Sequence, residues 1–304
     1  MTDVTPPSMD AVAAQRWLAH VPSQRQLTSP WLHEEVAQRM MERLDIITTQ
    51  PAQWAHWQPI RGGWHAHHAL RARYPHSQAW LVPGSSDEEA VLKSSVQRPW
   101  WAVWRKECEF VGTPPTGGVQ MVWANMALHQ QFRPQDMLAK WHKALAVDGF
   151  LMFSSLGPDT LRELRELYSS RGWPPPMHEL TDMHDWGDML VQAGFAEPVM
   201  DMERITLTFE TPERLVQELR ELGRNLALGR GSAVRGRTWH GQWLKALSQL
   251  AQPKHDGKLG LTFEVVYGHA FKPTPRARVA QETGIDLFEM RQMLRQSAKD
   301  RSSG

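Results

Sequence analysis

The chain of 304 residues contains one cysteine, Cys108. A single thiol excludes an intramolecular disulfide framework and suits a reducing, cytoplasmic setting. Its neighbours Glu107 and Glu109 are acidic and only Lys106 is cationic, which does not favour a reactive thiolate. Charge of one sign is lacking too, because 34 Lys and Arg stand against 33 Asp and Glu, a formal +1. That balance leaves no electrostatic footprint for nucleic acid or an anionic membrane. No window reaches the roughly 18 consecutive apolar residues of a membrane span. The opening MTDVTPPSMDAV has neither a basic region nor an apolar core, so no secretory signal is expected. Tryptophan, by contrast, is abundant. There are 15, of which Trp54, Trp57, Trp64, Trp80, Trp100, Trp101 and Trp104 crowd into one third of the chain.

Hydrophobic periodicity lays out an α/β protein. Residues 1–10 read as disordered, and a first helix is expected around Ala11–His20. Ser29 and Pro30 predict the cap and first position of a second helix, with Leu32, Val36, Met40 and Leu44 on its buried face. Ile46–Trp57 reads as the first strand, Arg61-Gly62-Gly63 as a loop, Trp64–Arg73 as a helix and Ala79–Val82 as a second strand. Val119–Ala124 is a further buried strand. Pro134 opens a helix, and Phe150–Leu156 is an apolar strand between the Asp148-Gly149 turn and Gly157-Pro158. Asp159 or Thr160 caps the next helix, and Met183–Ala193 forms another, closed by Gly194. Late strands are expected at Arg204–Phe209 and Leu259–Phe271. Between them lie a helix starting at Thr211-Pro212, a glycine- and arginine-rich loop over Arg224–Arg237, and a helix over Trp239–Leu250. A last helix is expected at Leu287–Arg295. Strands alternating with helices imply a mainly parallel sheet, with the Leu259 strand antiparallel at or near an edge.

The wording of several segments goes further than their pattern. Val122-Trp123-Ala124-Asn125-Met126-Ala127-Leu128, Asp148-Gly149, Gly157-Pro158-Asp159-Thr160-Leu161, Asp182-Met183-His184-Asp185, Ala193-Gly194-Phe195 and Val266-Tyr267-Gly268-His269-Ala270 occur in this order. Together they resemble the malonyl-acyl-carrier-protein methyltransferases of biotin synthesis and the related complex I assembly hydroxylases. Both are class I S-adenosylmethionine (SAM) methyltransferases. The resemblance is strongest over 119–210. It implies a Rossmann-like class I methyltransferase sheet with a helical lid inserted between the late strands. The corresponding division is an N-terminal extension over 1–28, the methyltransferase-like domain over 29–272 with its lid at 210–250, and a tail over 273–304.

The implied activity is transfer of a methyl group from SAM to the carboxylate of a malonyl thioester on an acyl carrier protein. Two alternatives stay open: a hydroxylase-type assembly factor, and an inactive binding protein on the same scaffold. The resemblance implies SAM contacts from Trp57, Gly62, Gly63, Asn125 and Met126, and it brings His129 and His184 to the C-terminal edge of the sheet as candidates for chemistry. A tryptophan of the cluster is available to stack on the adenine, while most of the others fill core. Arg224, Arg230, Arg235 and Arg237 form either a landing site for an acidic carrier protein or a solvated loop. The cofactor motif departs from the family pattern. The glycine-rich turn after strand one is reduced to Gly62-Gly63, and no carboxylate ends strand two, because Asp87 and Glu88 are displaced beyond Pro83-Gly84-Ser85-Ser86. His65, His67 and His68 read as an exposed helix face without an acidic partner rather than as a metal site.

Overall fold

The computed structural model describes Pro6 and residues 8–19, 28–96, 109–231 and 236–275. Cys108, Trp100, Trp101, Trp104, Arg235 and the helix expected at Leu287–Arg295 lie outside these residues. The strands are β1 (Gln53–Trp57), β2 (Gln78–Val82), β3 (Glu109–Val111), β4 (Val119–Ala124), β5 (Leu145–Leu156), β6 (Ala196–Phe209) and β7 (Leu259–Phe271). They form one sheet in the order β3-β2-β1-β4-β5-β7-β6. The first five run parallel, and β7 is antiparallel to both β5 and β6. The direction of winding reverses between β1 and β4, the kind of place where open α/β sheets carry their ligand crevice.

Both faces of the sheet are buried, so its central strands are apolar on both sides. Met121 and Trp123 of β4, Phe150 and Met152 of β5, and Phe263 and Val265 of β7 enter one core. Val122, Leu151, Phe153 and Val266, their neighbours in sequence, enter the other. The first core is covered by helices α2 (Trp31–Arg43), α4 (Trp64–Arg73), α7 (Arg162–Ser170), α9 (Pro212–Leu222) and α10 (Arg237–Leu247), and the second by α6 (Pro134–Ala144) and α8 (Met183–Gln192). The expected face of α2 holds: Leu32, Val36, Met40 and Leu44 are all buried. Helices α9 and α10 are the insertion between β6 and β7. No described helix is long and apolar enough to cross a membrane.

Local details differ from the sequence expectations for identifiable reasons. The first strand is short, because Leu44–Ile46 winds into a 3-10 turn and pairing starts only after Pro51. Arg61 and Gly62 belong to a helical turn, α3 (Pro59–Gly62), rather than to an open loop. Helix α2 begins one residue late, at Trp31, and Ser29 caps a different helix: its hydroxyl accepts from Trp64 N at 2.7 Å. Glu34 likewise accepts from the amides of His65 (3.0 Å) and Ala66 (3.3 Å). The start of α4 is therefore satisfied from outside, by α2. Neither Asp159 nor Thr160 caps α7, whose N-cap is Leu161. Asp159 pairs with Arg204 at 2.7 Å, and the Thr160 hydroxyl donates to the Glu264 carbonyl at 3.1 Å. Met9, within the stretch expected to be disordered, is buried and packs with Ala14, Trp17 and Leu226 near helix α1 (Ala11–Ala19). One helix was not expected at all, α5 (Ser86–Val96), and it proves central to the site.

The α2–α4 junction yields a stability prediction. Gly63 has φ +124°, and a Cβ there would lie 3.2 Å from Ala37 Cβ, Ala66 Cβ and Glu34 Oε2. Gly63→Val is expected to destabilise the fold by about 2 kcal/mol or more, from strained backbone and overpacking together. Gly84→Ala, whose methyl would meet the Gln58 side chain at 2.9–3.1 Å without a left-handed backbone at that position, is expected to lower the urea midpoint less than Gly63→Val does. Equal midpoints for wild type and Gly63→Val would refute the packing argument.

Candidate functional site

The backbone after β1 turns sharply at Gln58, which adopts a left-handed conformation (φ 52°, ψ 57°) before α3. The Gln58 side chain is buried and reaches Gly84, just beyond β2. Beyond Gly84, the first turn of α5 brings the Glu88 carboxylate back towards the strand ends. Glu88 accepts from Gly84 N at 2.6 Å and from Ile60 N at 3.2 Å. Burial raises its pKa, while these amides and the Arg61 guanidinium oppose the rise. The carboxylate missing from the end of β2 in sequence is thus restored in space by one turn of helix.

These residues form the floor of a cavity of about 570 Å³ at the tips of β1 and β2. The cavity is roofed by Trp17 from α1 and by Val216, Arg220 and Arg224 from α9 and the loop that follows it. Arg61 and Arg224 lie 4.5 and 4.9 Å from the Trp17 ring centre, a cation–π arrangement at the roof. A second cavity of about 250 Å³ lies between α7, α9 and α10, with Leu156, Tyr168, Met177, Trp243 and Phe263 among its walls. Val216, Arg220 and Arg224 line both cavities.

Asn125 holds the neighbouring strand ends together. Its amide donates to the carbonyls of His33 (2.7 Å) and Gly62, and its carbonyl accepts from the Ser154 hydroxyl at 2.6 Å. Ser154 in turn accepts from Met126 N at 3.0 Å. One buried side chain therefore joins α2, α3, β4 and β5.

Of the residues expected at the cofactor, Trp57, Gly62, Gly63, Asn125 and Met126, none lines either cavity. Trp57 packs edge-on against Trp141 in the core, and Met126 is buried in the opposite core. A Cβ on Gly62 would lie 3.1 Å from the Asn125 carbonyl, so the backbone approached there is the protein's own. His184 is largely exposed and bonds only Asp182, its helix cap, at 2.7 Å. His129 is buried and borders the second cavity, with neither ring nitrogen hydrogen-bonded. The expected exposure holds for His65 and His68 but not for His67, and an acidic partner is present. His67 Nε2 donates to Glu109 at 2.9 Å, leaving Nδ1 to accept from His56 Nδ1 at 3.4 Å. A 3.6-residue period puts His67 on the inner face of α4, but Glu109, across β3, is invisible to local spacing. Gln58, Ile60, Glu88 and Arg220 were missed because no local signal marks them. Only folding brings them together.

Five buried imidazoles surround this region. Burial holds His33 down to about 4 and places His56 and His129 well below the ordinary histidine range. His67 and His178 are lowered for the same first reason. His33 Nδ1 donates to the Arg61 carbonyl at 2.7 Å, which fixes its neutral tautomer. An unfolded histidine takes up a proton near pH 6.5, whereas these stay neutral, so stability is full above that pH and lost as the pH falls through it. His33 alone should cost about 1.4 kcal/mol at pH 5.5 relative to pH 7.5. Urea unfolding at these two values checks this, and an unchanged midpoint would contradict it.

No protein-family model matches the chain. It is 37% identical to the malonyl-acyl-carrier-protein O-methyltransferase of Laribacter hongkongensis over 85% of this chain and 88% of that one. Identity is 39% to the protein of the same description from Gallionella capsiferriformans, over 81% and 85%. The fold is similar to that of a putative methyltransferase from Bacillus halodurans, with TM-score 0.51 and 16% identity, over 79% of this chain and all of that one.

Proposed function

The chain belongs to the malonyl-acyl-carrier-protein O-methyltransferase family, and we propose that it methylates the free carboxylate of a malonyl thioester held on an acyl carrier protein, using SAM. The observation that carries this is the pair of adjoining cavities, one polar at the strand tips and one apolar beneath α9 and α10, sharing a wall. A two-substrate transfer needs such neighbours.

The residues of the larger cavity fit an adenosyl sulfonium. Glu88 offers carboxylate oxygens to ribose hydroxyls, and Arg61 supplies positive charge for an amino-acid carboxylate. When bound, SAM supplies an electrophilic methyl. The acceptor would be a carboxylate oxygen and the leaving group the neutral thioether, so the products would be a thioether and a neutral ester. No proton moves, so the protein needs no general base. Opposite charges are cancelled, and a dry site therefore favours the transfer. His129 and His178 suit this role by staying neutral beside the smaller cavity. Helices α9 and α10, the described helices of the lid expected at 210–250, cover the cavities and open for a carrier-borne substrate. The exposed Arg224 and Arg237 face the solvent from which an acidic carrier would approach. The setting is cytoplasmic.

The test is transfer of labelled methyl from SAM to malonyl-acyl carrier protein, with calorimetry of SAM binding beside it. Wild type should bind and transfer. Glu88→Gln should bind SAM at least roughly tenfold more weakly, the value of one charge-assisted hydrogen bond. Absence of SAM binding by the wild type at millimolar concentration would leave the inactive-scaffold alternative in its place.

A further inference from the structure

The smaller cavity has a distinctive charge distribution. Among the described residues, its walls are apolar or neutral, and the only charged side chains lining it are Arg220 and Arg224. Both also line the larger cavity, whose acidic residues Glu88, Glu213 and Glu221 do not reach the smaller one. Arg220 lies in the last turn of α9 and Arg224 beyond its extended C-cap, Gly223, yet both line the two cavities. Arg224 is held in place by its own backbone, because Nη1 donates to the carbonyls of Arg220 and Gly223. Burial and then repulsion by Arg220 lower the pKa of Arg224; Arg61, also at the larger cavity, is lowered by burial and repelled by Arg224, with Glu88 opposing. An anion placed at the shared wall relieves that repulsion.

From this we infer that Arg220 and Arg224 form a carboxylate-binding site that admits the acceptor carboxylate-first. The acceptor is a short acyl thioester with a terminal carboxylate. Its anionic end sits against the two guanidiniums at the wall shared with the larger cavity, and its thioester arm lies against Leu156, Tyr168, Trp243 and Phe263. The arrangement favours a terminal carboxylate over neutral acyl groups, because only an anion can accept charge-assisted hydrogen bonds from both guanidiniums. It also favours release of product, since the methyl ester no longer carries the charge that the pair binds. This inference rests on the methyltransferase reading for the identity of the larger cavity's ligand, but the arginine site itself is testable apart from it.

The experiment compares wild type, the Arg220→Gln/Arg224→Gln double variant and the Arg224→Lys single variant. Binding of malonyl-coenzyme A and of butyryl-coenzyme A is measured by calorimetry, and methyl transfer to malonyl-acyl carrier protein by label. Wild type should prefer the malonyl thioester by at least roughly tenfold, and the double variant should lose that preference. KM for the malonyl substrate should rise by about a hundredfold for two lost charge-assisted bonds, with kcat changed less. Arg224→Lys should restore part of the preference. Both arginines are exposed, and a thermal melt of each variant checks the fold. Methyl transfer with an unchanged KM in the folded double variant overturns the inference while leaving the methyltransferase reading intact. Arginine-dependent malonyl binding without any methyl transfer does the reverse. If the wild type shows neither preference nor transfer, both fall.

Discussion

The hydrogen bonds of Asn125 are the constraint on which the site depends. A buried amide must satisfy both its donors and its acceptor, and here the three partners come from three different elements, α2, α3 and β5. The carbonyls of His33 and Gly62 are held at the tip of β4, and Ser154 relays the contact to Met126 N. Replacing Asn125 by any apolar residue would leave buried carbonyls unpaired, at about 1–3 kcal/mol each. The clasp fixes α3, and α3 fixes the Ile60 amide that holds Glu88. Asn125 thus shapes the cavity floor without lining it.

Charge is distributed with the same economy. Imidazoles packed behind the site are kept neutral by burial, while the ionised groups lie where a ligand would meet them. Glu88 is the buried exception, and two backbone amides compensate it. Arg220 and Arg224 stay at the mouth, partly hydrated, which limits the cost of placing two like charges close together. Seen this way, the two cavities are complementary. One carries an acid, the other is apolar, and cations stand between them.

Much of the fold was legible in the sequence. β4 and β7 begin and end where the apolar runs do, and α9 starts from its expected Thr211-Pro212, with Thr211 as its cap. These elements are set by local patterns, and their agreement with the tertiary structure is what makes them readable. The site was less legible, because it is built from long-range contacts. Gly62 and Gly63 look like a ligand-approach turn, yet both make room for protein: one for the Asn125 carbonyl, the other for Ala37 and Ala66. The left-handed turn falls instead on Gln58, a residue type that does not advertise it. Glu88 looked misplaced because distance along the chain was counted, whereas the first turn of α5 brings it back to the tip of β2. The expected cap at Ser29 went to α4 for a similar reason, since two helices meeting end to side can exchange their caps.

The central claim is that the cavity bounded by Gln58, Gly84 and Glu88 receives the methyl donor, with its reacting end towards Arg220 and Arg224. A crystal structure with S-adenosylhomocysteine tests it most directly. The account requires the ribose hydroxyls within hydrogen-bonding distance of Glu88 and the sulfur at the wall shared by the two cavities. A nucleoside seated elsewhere, with its amino-acid end against Gly62 and Gly63 and Glu88 still bonded only to protein, would contradict it.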